Sequence, residues 1–260
     1  ATRVRGAAAA TRARAASRAQ VLPAPVDGGR GASAQQPCER RRDGATMQGH
    51  HHAAGQASMS SEYERLVSKA IRSVDAKLPQ AEAALRKAML MEPNKPQAYG
   101  ALGALHSRTG DDVASAGAYL KAASLSSEDS PEWARATSCY FQALRSPACK
   151  DEPRPPWWND EALKDISARC VALVPGDGST HAMRAVVLSG ACEGAPPGPR
   201  TPAEFKEAAA ACQACAGFCE DPKEKRHYIT LGVVLHRKAA GMAASADVAA
   251  SSSETPQAAA

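Results

Sequence analysis

Two sets of side chains recur 34 residues apart. Ala81, Leu85, Ala88 and Pro93 are followed at that interval by Ser115, Tyr119, Ala122 and Ser127; Tyr99, Leu102, Gly103 and His106 are followed by Trp133, Ala136, Thr137 and Tyr140. Ala81, Leu85 and Ala88 fall four and three residues apart and Tyr99, Leu102/Gly103 and His106 three to four apart, the repeat of one helix face, with Pro93 just beyond the first set. The recurrence therefore describes a unit of two helices and a turn. Such a hairpin cannot bury its apolar face alone, so successive units must lean on one another.

The punctuation between the sets agrees with this reading. Ser61 and Glu64 have the spacing of a capping box. Val67, Ala70, Ile71 and Val74 mark a first helical face, and Pro79 suits the first turn of a second helix. Pro96 opens a third helix, which Gly110 closes as a left-handed cap. Asp111 or Asp112 caps a fourth, and Ser130-Pro131 opens a fifth. The turns are short, so neighbouring helices are antiparallel. Small residues at Ala81, Gly103 and Ala122 allow the axes to come close, and Tyr119 and Trp133 fill the space between hairpins. On these residues, from about Ser61 to Tyr140, the chain resembles the tetratricopeptide-repeat family. The resemblance implies an all-α fold, a short right-handed solenoid of antiparallel helical hairpins.

After Tyr140 the phase slips. Pro147, Pro153, Pro155 and Pro156 precede Trp157, and Ser127 to Pro175 spans 48 residues, so about 14 residues are inserted in the third unit. Leu163, Ile166 and Cys170 lie on the helix that follows. Thr180–Ala191 and Thr201–Cys219 form a fourth pair around the Gly194–Pro199 loop. Asp221-Pro222 opens a last helix, whose Tyr228, Leu231, Gly232 and Leu235 repeat the spacing of Tyr99, Leu102, Gly103 and His106. The expected units are 61–94, 95–128, 129–176 with the insertion and 177–220, with a terminal helix over 221–242. Lys223, Lys225, Arg226, Arg237 and Lys238 would give that helix the polar outer face of a cap.

Composition supports helices and narrows the class. Of 260 residues 58 are alanine, the best helix former, and only 11 are aromatic, which argues against a β-sandwich or barrel. No run of apolar residues approaches the length of a membrane span. The net charge of +5 is unevenly placed. Residues 1–58 hold nine Arg and three acids, and the remainder is close to neutral, so charge alone does not indicate a nucleic-acid binder. The Ala/Arg-rich arm has the composition of an organellar transit peptide or of a disordered basic tail. The expected location is intracellular and cytoplasmic, or a chloroplast or mitochondrion if the arm is a transit peptide. Residues 243–260 read as a low-complexity, disordered tail.

Few residues point to chemistry. Cys212, Cys215 and Cys219, with Cys192 and His227 nearby in sequence, are candidate metal ligands or redox groups. Their spacing, however, continues the helix face of Phe205, Ala208 and Ala209, where cysteine packs as a small hydrophobe. His106 stands in the family's aromatic slot and is read as packing. His50, His51 and His52 lie in the arm, and His181 and His236 have no sequence neighbours that suggest a triad. No phosphate loop, dinucleotide fingerprint or paired-histidine zinc motif is present, so no cofactor and no catalytic residue is assigned. Trp157 and Trp158 are read as core packing through a bent loop, with exposure of one as a contact residue the alternative.

In the family, first helices line a concave groove. Carried over by position, the partner-binding residues are Arg65, Lys69 and Arg72 from the first unit, Gln97, Gly100, Ala104 and Ser107 from the second, and Ala134, Arg135 and Ser138 from the third. Members that clamp carboxylate tails of chaperones need Asn at matched positions, and this chain lacks them. The resemblance thus implies a non-enzymatic interaction module or scaffold that holds a peptide or helix of another protein. The alternative is a repeat segment of a larger enzyme or complex with a Cys-rich metal or redox helix. RNA binding aided by the basic arm is a third reading.

Overall fold

The structure is a computed structural model. It describes residues 61–72, 78–192, 194–195 and 198–253, with side chains as far as 246. Readings of the arm, including its three histidines, and of Val74 lie outside the described residues. The described residues form helices and one 3-10 turn, without strands. The helices are α1 (61–72), α2 (Leu78–Met91), α3 (Pro96–Thr109), α4 (Asp112–Leu125), α5 (Pro131–Leu144), α6 (Asp160–Leu173), α7 (Gly178–Ser189), α8 (Pro202–Phe218) and α9 (Pro222–Ser253).

Local chemistry sets most boundaries. Asp111, Ser130, Asn159 and Asp177 accept backbone N–H bonds at the starts of α4, α5, α6 and α7, and Thr201 with Glu204 forms a full capping box on α8. Gly110 and Gly190 end α3 and α7 at φ of 79° and 75°, a region that glycine enters without steric cost.

Each helix packs on the next from α2 to α9, and α5 also touches α3 and α7. This is an all-α helical-repeat fold with consecutive-helix packing. A close internal fit lies inside the second hairpin. A Cβ on Gly103 would stand 2.8 Å from Cδ1 and 2.9 Å from Cγ of Tyr119, so the buried tyrosine ring lies directly on the glycine backbone. Ser115 locks the same crossing by donating to the Gly103 carbonyl at 2.9 Å. Gly232 plays a similar part on α9, its missing Cβ leaving 3.4 Å to the Ala209 carbonyl and to Cys212 Cβ on α8.

Three apolar clusters follow one another along the stack. The first joins Tyr63, Leu66, Val67 and Ala70 of α1 to Ala81, Leu85 and Ala88 of α2 and to Ala98 and Leu105 of α3. The second runs from α4 to α7 around Trp133, Phe141, Leu144 and Leu163. The third joins α7, α8 and α9 around Phe205, Cys212 and Leu235. Helix α7 feeds two of them: Met183, Val186 and Val187 enter the second, Ala185 and Leu188 the third.

Residues 145–159 connect α5 to α6 through the 3-10 turn Pro147–Cys149. Both tryptophans of this segment pack inward. Trp158 is buried with its ring 5.1 Å from that of Phe141, and Trp157 meets Tyr140 edge-on at 6.0 Å. Arg154 fastens the segment by donating to the Leu144 carbonyl at 2.7 Å, with its guanidinium 4.9 Å from the Trp158 ring. Asp160 at the start of α6 takes both terminal nitrogens of Arg200, which also donates at 2.9 Å to the Val187 carbonyl.

Two expectations need correction at the C-terminal end. The helix does not stop near residue 242 but continues through Ser253, because alanine-rich sequence favours helix. Nor is its outer face only polar, since Ile229, Val233 and Val234 stand about half exposed on it. Ile71, expected on the apolar face of α1, is 38% exposed.

Candidate functional site

The expected binding residues divide into an open group and a closed one. On α1, Arg65, Lys69 and Arg72 are exposed. Arg65 is held by Glu62 at 2.6 Å, and Lys87 of α2 approaches the same carboxylate at 3.4 Å. The hydrogen bond from Arg65 holds the Glu62 carboxyl well below its ordinary range, at about 2. Lys69 and Arg72 extend the basic row by one and two helical turns.

On α3, Gln97 is exposed, and Gly100 has open space where a side chain would begin. Ala104 and Ser107 are half-buried, Ala104 against the second cluster. Tyr63 ties this face to α1: the Ala98 amide donates to its hydroxyl at 3.1 Å, and that hydroxyl reaches Gln97 Oε1 at 3.5 Å.

On α5 the same face is closed. Ala134 and Ser138 are fully buried. The Ser138 hydroxyl donates to the Arg135 carbonyl at 3.0 Å and lies 3.0 Å from Ser179 Oγ of α7. Arg135 faces Asp177, Nε to Oδ2 at 3.6 Å. Ser138 therefore seals α5 against α7, and Arg135 already has a carboxylate. The partners lie about 40 residues away in sequence, beyond the reach of helix periodicity, although Asp177 is itself a residue type that starts helices.

A small concavity lies beside α4, α5 and α6. It is a cleft of about 290 Å³ lined by the buried rings of Trp133 and Tyr140 together with Leu120, Trp157, Ile166 and Arg169. The Arg169 guanidinium lies 5.0 Å from the Trp133 ring and 3.4 Å from Asp129. No sequence motif announces this cleft, to which the inserted segment contributes Trp157.

The cysteine helix has the character of a packing surface. Cys212 and Cys215 are buried, Cys219 half-buried, and all seven cysteines of the described residues are free thiols. Burial pushes the Cys212 thiol up to about 11 and that of Cys215 up to about 12, far from the thiolate that metal binding or redox exchange uses. Cys219 Sγ donates to the Cys215 carbonyl at 3.2 Å. Among the described residues no three His, Cys, Asp or Glu side chains are grouped to hold a metal ion, and no helix is long and apolar enough to cross a membrane. The Cys-rich metal or redox alternative is therefore not favoured.

Comparison with known protein families finds no match for this chain, and none of the curated proteins compared with it matches either.

Proposed function

We propose that the chain is a tetratricopeptide-type repeat module that holds a segment of another protein across its first helices, without catalysing a reaction. The observation that carries this reading is the 34-residue register of its contacts. Tyr63 meets Gln97, and Asp112 accepts from Ser146, each pair 34 residues apart, while Gly103 and Tyr119 close at the positions the repeat assigns to them. First helices that touch one another, α3 with α5 and α5 with α7, form a continuous side along the stack.

The receiving surface is the open part of that side. Lys69 and Arg72 of α1 supply cations, and Gln97, Gly100, Ala104 and Ser107 of α3 supply a low, partly polar floor. The bare backbone at Gly100 lets an extended segment come close, and the two cations suit its carboxylates. Arg65 adds charge at the rim beside Glu62. On α5, Arg135 contributes a half-exposed edge, with Ser138 fixing the wall behind it. A rigid stack lowers the ordering cost of capture. In a cross-linking pull-down, Lys69→Glu with Arg72→Glu is expected to lose the acidic-segment partners that the parent chain retains. Retention of every partner by a variant that melts like the parent would overturn the reading.

A further inference from the structure

Helix α9 carries a surface that the binding side of α1 and α3 does not use. Helices α3, α5 and α7 each pack against both the preceding and the following helix, whereas α9 packs chiefly on α8. Its broad apolar stripe, Tyr228, Leu231, Leu235 and Ala239, is spent on that contact. On the opposite face Ile229, Val233 and Val234 are 49%, 46% and 53% exposed. Arg226 lies about one turn before Ile229 and Thr230, and Arg237 about one turn after Val233 and Val234, so the apolar strip has a cation at each end. Lys223 and Lys225 add to the first end; all four basic residues are exposed.

Charge and shape select among the possible occupants. A second copy laid along α9 would set these basic ends against identical ones. The chain's own arm, with nine Arg against three acids, is repelled by the same charges. A lipid surface requires a helix with a wide apolar face free, and here only three short β-branched side chains remain after α8 is covered. An acidic amphipathic helix meets both conditions: apolar anchors at helical spacing for the strip and carboxylates for the two ends.

We infer that the outer face of α9 receives an acidic amphipathic helix of another protein, with its anchors over Ile229, Val233 and Val234 and its carboxylates beside Arg226 and Arg237. The incoming helix packs on the face of α9 opposite to α8.

The test uses the full chain and a fluorescein-labelled synthetic peptide with Leu at i, i+3, i+4 and i+7 and Glu at the flanking positions, followed by fluorescence anisotropy. Saturable binding is expected, weakening as salt rises, and lost when Lys replaces Glu in the peptide. Val233→Ser with Val234→Ser, and separately Arg226→Glu with Arg237→Glu, should each weaken binding by about tenfold or more, while Lys121→Glu with Lys150→Glu, which lie on neither proposed surface, leaves it unchanged. All six positions are exposed, and thermal melting checks that each variant stays folded. Absence of binding, or equal binding by either α9 variant, overturns the inference. So does capture by phosphatidylserine vesicles that the valine variant abolishes while the peptide still binds. A dimer in sedimentation that the valine variant dissolves would assign the face to a second copy instead.

Discussion

The contact between Gly103 and Tyr119 predicts a change of sign. In an ordinary helix interior, replacing glycine by alanine stabilises by about 1 kcal/mol through backbone entropy. Here the added methyl would stand 2.8–2.9 Å from three ring atoms of a buried tyrosine, closer than carbon atoms settle. The ring is enclosed by α3 and α5, so the axes must part, at an overpacking cost of about 1–3 kcal/mol. The net effect of Gly103→Ala in the parent chain is therefore destabilisation by up to about 2 kcal/mol. Tyr119→Ala alone removes a large buried side chain and should cost about 3–5 kcal/mol. In that background the methyl added at position 103 would meet empty space, so Gly103→Ala should stabilise by about 1 kcal/mol or slightly more. Urea unfolding of the four proteins, followed by circular dichroism, closes the double-mutant cycle. If Gly103→Ala stabilises both backgrounds equally, the close approach of α3 and α4 does not depend on this ring and the argument is refuted.

Other outcomes follow from contacts already described. Trp133→Ala should cost about 3–5 kcal/mol, because it removes a buried ring that lines the α4–α6 cleft and packs beside Arg169; near-parental melting would place that ring outside the core. Asp160→Asn should cost about 2–3 kcal/mol, since it breaks the charged bonds to the largely buried Arg200. The hydrogen bond from Arg200 holds Asp160 down to about 2, so the stabilisation is complete above the ordinary carboxylate range and disappears as pH falls from about 4 through about 2. Parent and variant should converge in that window and differ at neutral pH; a constant gap down to the acid limit would exclude the pair as its source. At about pH 8 a thiol reagent should leave Cys139, Cys170, Cys212 and Cys215 unmodified in the folded chain, and chelators should not lower its melting temperature. Rapid labelling of Cys212 with loss of melting temperature in chelator would restore a metal role.

Much of the fold is legible in the sequence because it is written in local rules. The caps at Asp111 and Ser130 and the left-handed Gly110 act within one helical turn, and each follows directly from residue type; Asp177 obeys the same rule, although the expected start at Thr180 passes over it and α7 begins at Gly178. The closeness at Gly103 is legible too, because a glycine one unit away from bulky neighbours marks a crossing. What escapes is set by partners distant along the chain. Ser138 looks available from its helix face but is covered by Ser179, and Arg135 looks uncommitted but faces Asp177. The cleft beside Trp133 depends on how residues 145–159 fold back, and proline-rich sequence does not encode that path in its periodicity. The length of α9 is hidden by low complexity, which draws attention away from the helix preference of alanine. The exposed strip of Ile229, Val233 and Val234 is hidden by the charges around it, which look like a finished cap.

Helix α7 shows how such a molecule comes apart. Its alternating faces serve as a party wall between the central and the terminal apolar clusters, so neither neighbour can melt without exposing one side of it. Fraying from either end should halt there, and amide protons of α7 should be the slowest to exchange. Strain introduced at that wall would travel both ways, whereas damage in α1 or α9 would stay in its own room.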